Sequence, residues 1–245
     1  MTDILISAFL LSVVLVGIHA FFGIEIIKRG IIFTDLAIGQ MAALGAAVSL
    51  FFLEGNYVYP VSLAFALAGG LLIAVTARKS ETHEAFIGLL YAFGIAGVYI
   101  LLSKSPHGME EFQNLIASDI LFTPLKEIIK TAIIYGIIGI ILFFIYGKVS
   151  GFLKDAVFFI LFAITVTSSV KLAGVLIVFS LLLAPALISK KIKRGIPIIN
   201  AWITGIIINI IAISISYYFD FPTGYSLVFF HSLFTLIIYN ARNLS

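Results

Sequence analysis

Asp35 is the residue whose position most demands a chemical reason. It stands in GIIFTDLAIGQMAALGAA, residues 30–47, among apolar and small neighbours. An ionisable side chain held in hydrocarbon costs about 2.5–3.5 kcal/mol on insertion scales, so it persists only with a partner or a task. Two readings are open. Asp35 either snorkels to pair with Lys28 or Arg29, or it is a carboxylate on a solute path. Gln40 and Met41 follow on the same helix, and Gln40 suits either an interhelical hydrogen bond or a lining role. His19 lies mid-run in VGIHAFFG and His231 in VFFHSLF. With Asp35 they are the right donor types for a borderline divalent metal such as zinc or manganese, although no spacing links them. Glu25 is three residues before Lys28 and is expected to pair with it or with lipid headgroups.

Enzyme chemistry finds no support. The phosphate-loop string GxxxxGK[ST] does not occur, so the chain lacks the usual cradle for ATP. His83-Glu84 opens the zinc-protease pattern HExxH, but Ile87 occupies the place of its second histidine. There is no GxSxG, and Ser180 and His231 are a pair by residue type only. The chain is read as a transport protein rather than an enzyme.

The elements that must position these residues follow from composition. Of 245 residues, 62% are hydrophobic and 11% charged, and the mean hydropathy is +1.19. A soluble domain runs nearer 45–50% apolar and about 25% charged, so the solvent here is lipid. Cysteine is absent, which excludes disulfides and thiolate metal sites. The N-terminus has no positive region ahead of its first apolar run and is read as a retained span.

A spanning helix needs roughly 20 mostly apolar residues. Such runs fall at about 4–27, 31–53, 60–77, 85–103, 127–147, 153–170, 172–189, 196–219 and 225–240. They predict an all-α polytopic membrane protein of nine spans, or eight if the closely joined sixth and seventh form one broken hairpin. Runs such as Ile137–Ile145 are apolar on every face, which excludes barrel alternation and leaves helices as the spanning option. Pro185 is expected to break the seventh helix, because it removes a donor and clashes one turn back. One set of alternate loops holds Lys28, Arg29, Arg78, Lys79, Lys148, Lys154, Lys190, Lys191, Lys193, Arg194 and Arg242, which is 11 of the 15 basic residues. The positive-inside rule then puts the N-terminus outside and the C-terminus in the cytoplasm. The net charge of +3 therefore speaks to orientation and not to nucleic acid. Residues 1–245 read as one transmembrane domain, with Phe112–Ile120 in the long outer connection placed at the interface or re-entering.

Three stretches in order resemble the integral-membrane permease of the metal-type ABC importers, the zinc/manganese uptake family. GIEIIKRGIIFTDLAIGQMAALGAAVS is similar to the basic turn, Phe, Asp and small-residue helix of those permeases. SSVKLAGVLIVFSLLLAPALISKK is similar to their apolar segment ending in Pro-Ala and basic residues, and YYFDFPTGYSLVFF to their turn before the last helix. ASDILFTPLKEI is weakly similar to the opening of their fifth helix. The resemblance covers about residues 17 to 230. It implies a cell inner membrane permease that forms a homodimer, with a cytoplasmic ABC ATPase and an extracytoplasmic metal-binding protein as partners. It implies no permanently bound cofactor, a transported divalent metal, zinc or manganese, and Asp35 as the path carboxylate, with Gln40, His19 and His231 as further lining groups. The turn Asp220–Gly224 would face the delivery protein.

Two departures stand out. Family members carry a histidine one turn after the aspartate, whereas Gly39 stands there in this chain, and His19 is the imidazole that could replace it. Relatives also carry a longer cytoplasmic stretch that docks into the ATPase, where this chain has only KVSGFLKD, residues 148–155. The rival readings are a cation channel or secondary transporter that needs no ATPase, and a related permease for a non-metal solute such as a small chelate.

Overall fold

A computed structural model of the chain describes residues 2–76, 82–104, 109–110, 112 and 120–240. Among these residues there are nine α-helices and no strand. They are α1 (Thr2–Arg29), α2 (Thr34–Leu53), α3 (Val58–Thr76), α4 (His83–Leu102), α5 (Leu125–Ile141), α6 (Gly151–Ala173), α7 (Val175–Lys191), α8 (Pro197–Phe219) and α9 (Thr223–Asn240). A short 3-10 turn, Ile120–Phe122, precedes α5, and a π-helical turn, Leu142–Tyr146, extends it. Each apolar run found in the sequence coincides with one helix. In lipid the backbone must satisfy itself within the segment, so unbroken apolar stretches have no alternative to helix.

Seven of the helices are long and apolar enough to cross a membrane; α7 and α9 fall outside that measure. The expectation of nine spans is thus met by seven on length and composition. At 17 residues α7 reaches about 26 Å, short of a hydrocarbon core of about 30 Å. In α9, Thr223, Ser226, His231, Ser232 and Thr235 dilute the apolar run.

Pro185 does not break α7, which is continuous from Val175 to Lys191. The missing N–H is tolerated where neighbouring helices enclose the spot, and Pro185 is buried against α8, where a Cβ on Gly205 would lie 3.1 Å from its Cγ. The break falls instead at Gly174, the single residue between α6 and α7. Its φ of +84° is left-handed backbone that glycine adopts without a steric penalty.

The chain divides into two compact units built from alternating stretches. The first comprises Met1–Gly30, Asp119–Ile137 and Leu172–Ser245. Here α1 packs on α7 and α8, and α9 packs on both α7 and α8. Gly23 lets α1 touch the backbone of α7, and the Trp202 Nε1–H donates to the Gly17 carbonyl at 2.9 Å, tying α8 to α1. Ile177 near the start of α7 meets Gly224 at the start of α9, while the Lys191 ammonium at its end lies 4.4 Å over the Tyr239 ring at the end of α9. The two helices therefore run side by side in the same direction, with α8 returning alongside them.

The second unit comprises Ile31–Ser118 and Ile138–Lys171. In it α2 packs on α3 and α4, with Ala37, Ile38, Ala47, Ala66, Ile73 and Ile87 fully buried. Phe158, Phe159 and Phe162 of α6 are fully buried and stacked or edge-on to one another. Phe112 packs with Leu44, Ala46, Ala47, Val98 and Leu102, while the rest of the interfacial segment expected at 112–120 lies almost wholly outside the described residues.

Candidate functional site

Asp35 occupies the first turn of α2, where the helix dipole favours a negative charge. It is 3% exposed, and its Oδ1 is buried without a hydrogen-bond partner. Lys28, one of the partners considered for it, bonds Glu25 Oε1 at 2.9 Å, which is the pairing expected of Glu25. The entry to α2 is held from within its own unit. The Phe33 N–H donates to Glu84 Oε1 at 3.3 Å, and the Thr34 hydroxyl donates to the Ile31 carbonyl at 2.7 Å.

Glu84 is the functional candidate that sequence reasoning missed. It entered only as part of a failed zinc-protease pattern, yet it ties the start of α4 to the end of α2 that bears Asp35. Its second oxygen, Oε2, is also buried without a partner. The available signal was its place at the head of an apolar run, the same signal that singled out Asp35. His83 beside it is buried, with Nε2 bonded to the Ile73 carbonyl at 3.2 Å.

Gln40 is half-buried and follows Asp35 by five residues, which turns it well away from the face that Asp35 occupies. Its backbone is where α4 makes its close approach: a Cβ on Gly94 would lie 2.9 Å from it. Position 39, one turn after Asp35, is the residue that shares the face of the carboxylate.

The two histidines belong to the first unit. His19 is fully buried on α1, with Nδ1 donating to the Leu15 carbonyl at 2.8 Å and its ring edge-on to Tyr135 at 6.3 Å. His231 is fully buried on α9, and its Nε2 meets Asn209 Oδ1 of α8 at 2.8 Å. His231 Nδ1 and Asn209 Nδ2 are buried without partners. Asn209 is a second residue that sequence reading missed, since an asparagine in a span reads as packing until its partner is known. Ser180 donates to the Ile177 carbonyl, so its hydroxyl is committed to its own helix. Asp35 and Gln40 thus share α2, while His19 and His231 each have partners within the other unit. Among the described residues no three His, Cys, Asp or Glu side chains gather as a metal-holding group.

The turn at Asp220 is tightly built. Asp220 ends α8 at φ +54°, the Phe221 N–H donates to the Ser216 carbonyl at 2.9 Å, and the Ser216 hydroxyl bonds Phe221 O and Thr223 Oγ1, each at 2.7 Å.

Comparison with known proteins places this architecture. The model of the ABC 3 transport family matches residues 1–155 and 148–241. The chain is 23% identical to the "Probable iron transport system membrane protein" of Haemophilus influenzae, over 97% of this chain and 89% of that protein. Its fold is similar to that of PsaBC from Streptococcus pneumoniae in complex with Fab, with TM-score 0.72 at 17% identity over 96% of this chain and 90% of that one. It is also similar to a candidate metal-chelate type ABC transporter in an inward-facing conformation, with TM-score 0.62 at 15% identity over 94% and 84% of the two chains.

Proposed function

The chain belongs to the ABC 3 transport family, and from that premise we propose that it is the permease subunit of an ATP-driven importer of a divalent transition-metal ion. It is a multi-pass membrane protein of a family whose members are transport subunits. The proposal adds the partners and the substrate. A homodimer of this chain in the cell inner membrane would form the path, a separate cytoplasmic ATPase would drive it, and an extracytoplasmic metal-binding protein would deliver the ion. The absence of a phosphate loop supports the separate ATPase, since a path without its own engine needs one from elsewhere.

The observation that carries the substrate reading is Asp35. A buried carboxylate with a bare oxygen is costly in a membrane helix, and such groups mark ion pathways there. His19, His231 and Gln40 are the further lining groups proposed. Zinc and manganese suit these donors, and the name of the Haemophilus relative adds iron.

A second reading, a metal chelate or another small solute, is favoured by Gly39 standing where related permeases carry histidine. The name of the inward-facing transporter points the same way.

The test is uptake by proteoliposomes that hold the permease with its copurified ATPase, loaded with ATP and offered Zn2+, Mn2+ or Fe2+. The expected result is ATP-dependent uptake of one or more of these ions, reduced at least tenfold by Asp35→Asn. Uptake that proceeds without ATP or any ATPase would establish the secondary transporter instead.

A further inference from the structure

Two polar side chains meet inside the first unit with hydrogen-bonding capacity left over. His231 of α9 and Asn209 of α8 are each 0% exposed, and His231 Nε2 lies 2.8 Å from Asn209 Oδ1. The amide oxygen can only accept, so Nε2 carries the proton and Nδ1 of the uncharged ring keeps a lone pair. That Nδ1, an acceptor, and Asn209 Nδ2, a donor, are both buried without partners. Turning the amide end for end exchanges the roles but still leaves one donor and one acceptor. Both residues are fully buried within the chain, so a second subunit does not reach them.

Pro185 of α7 brings a third group. It has no N–H, so the Leu181 carbonyl one turn earlier loses its intrahelical donor, although α7 runs unbroken across the site. Contacts along the helices put that carbonyl at the level of the pair. Gly205 of α8 lies against Pro185, and Asn209 stands one turn further along the same face. Because α8 runs opposite to α7, that turn leads from Pro185 back toward Leu181. On α9, Gly224 lies against Ile177, and the two helices run in the same direction. Seven residues on, about 10 Å along each helix, His231 comes level with Ala184. A helical carbonyl points toward the residue four places on, so the Leu181 oxygen reaches that same level.

One donor and two acceptors thus share a single level of the unit. A metal ion does not match this set, because the asparagine N–H would face it. One water molecule does: it accepts from the amide and donates to the ring nitrogen and to the carbonyl. Buried waters typically make about three such bonds to groups that are otherwise unsatisfied. Ordered water is also one means by which membrane helices satisfy a carbonyl freed by proline.

We propose that Asn209, His231 and the Leu181 carbonyl form a binding site for one structural water, which takes the place of the N–H that Pro185 lacks. The site joins α7, α8 and α9 through a single molecule. It concerns how the ring of His231 is held in the fold and does not depend on the permease reading.

Cryo-electron microscopy of the full chain with its copurified partners, at a resolution that shows ordered water, tests the site directly. The expected result is a density peak about 2.7–3.2 Å from Asn209 Nδ2, His231 Nδ1 and the Leu181 oxygen. Side chains packed together there with no peak overturn the inference. A peak about 2.0–2.1 Å from the ring nitrogen, the distance of a bound metal ion, overturns it as well.

The role at Pro185 is read from thermal unfolding in nanodiscs. Pro185→Ala restores the N–H to the Leu181 carbonyl. That carbonyl already has a partner in the parent, but loses it in the His231→Leu/Asn209→Leu double variant, where the water has lost its other holders. The change in melting temperature on Pro185→Ala is therefore expected to be about 2–4 °C more positive in the double variant than in the parent. Equal changes in the two backgrounds overturn the inference. If the double variant does not assemble, the distance of the density peak from the Leu181 oxygen in the parent decides the question.

Discussion

At the level of single residues, polar groups buried without partners separate what helps the fold from what burdens it. Asp35 has a bare oxygen in a nearly sealed position, so replacing it with asparagine removes a buried charge and costs little packing. Asp35→Asn is therefore expected to leave thermal stability in nanodiscs unchanged, or to raise it by about 1–3 kcal/mol, while uptake falls. A variant that transports normally but melts earlier would assign Asp35 to structure alone. His231 and Asn209 call for a different experiment. Either side chain removed alone strands the other, so His231→Leu and Asn209→Leu should each destabilise, and the double variant should recover most of the loss. A coupling of about 0.6–1.7 kcal/mol is expected from such a cycle in a membrane protein. The sequence marked Asp35, His19 and His231 because ionisable groups in apolar runs are conspicuous. It did not mark Asn209 or Glu84 as functional. Those depend on which atoms face one another across helices, and no spacing within one helix encodes that.

Among the helices, contact is controlled by where a side chain is missing. Gly23 brings α1 onto the α7 backbone and Gly45 brings α2 onto that of α3, so an alanine at either site must push two helices apart. Gly23→Ala and Gly45→Ala are each expected to cost about 1–3 kcal/mol, the usual penalty of overpacking. Gly88→Ala in α4 meets nothing within 4 Å and should stabilise by up to about 1 kcal/mol through helix propensity. Thermal unfolding of the three variants in one detergent checks the order. All nine of the helices named above were legible in the sequence, because length and hydrophobicity dictate helix in lipid. Their ends were less so: the run beginning at residue 31 becomes a helix only at Thr34, after the turn at residues 30–33. Pro185 was misread because the rule that proline breaks helices is drawn from soluble helices, whereas membrane helices tolerate proline where neighbouring helices pack around it, as Gly205 of α8 does here. The faces of the helices were not legible at all, since stretches apolar all round carry almost no amphipathic signal.

For the whole molecule the open question is how many times the chain crosses the membrane, and the first unit gives a physical answer. By length α7 is too short to count as a span, yet it keeps company with α9 at both ends, through Ile177 against Gly224 and Lys191 over Tyr239. The returning α8 is long and apolar enough to cross. A helix packed alongside a spanning helix, and joined to it by the turn at residues 192–196, is expected to cross with it, reaching the interface through its terminal Lys190 and Lys191. Nine crossings are the expected outcome, with the basic residues then expected to put the N-terminus outside. Single cysteines can be read without background because the chain has none. Asn56→Cys and Phe221→Cys, in the turns after α2 and α8, are expected to react with an impermeant maleimide from outside. Ser150→Cys and Lys193→Cys should react only after permeabilisation. If α7 and α9 stayed in one leaflet, the chain would reach residue 193 on the outer side and residue 221 on the inner. Both of those labels would then reverse, while Asn56 and Ser150 kept theirs. Reversal at all four positions would instead leave nine crossings intact and turn the molecule over, placing Asp220 on the cytoplasmic face, away from any delivery protein.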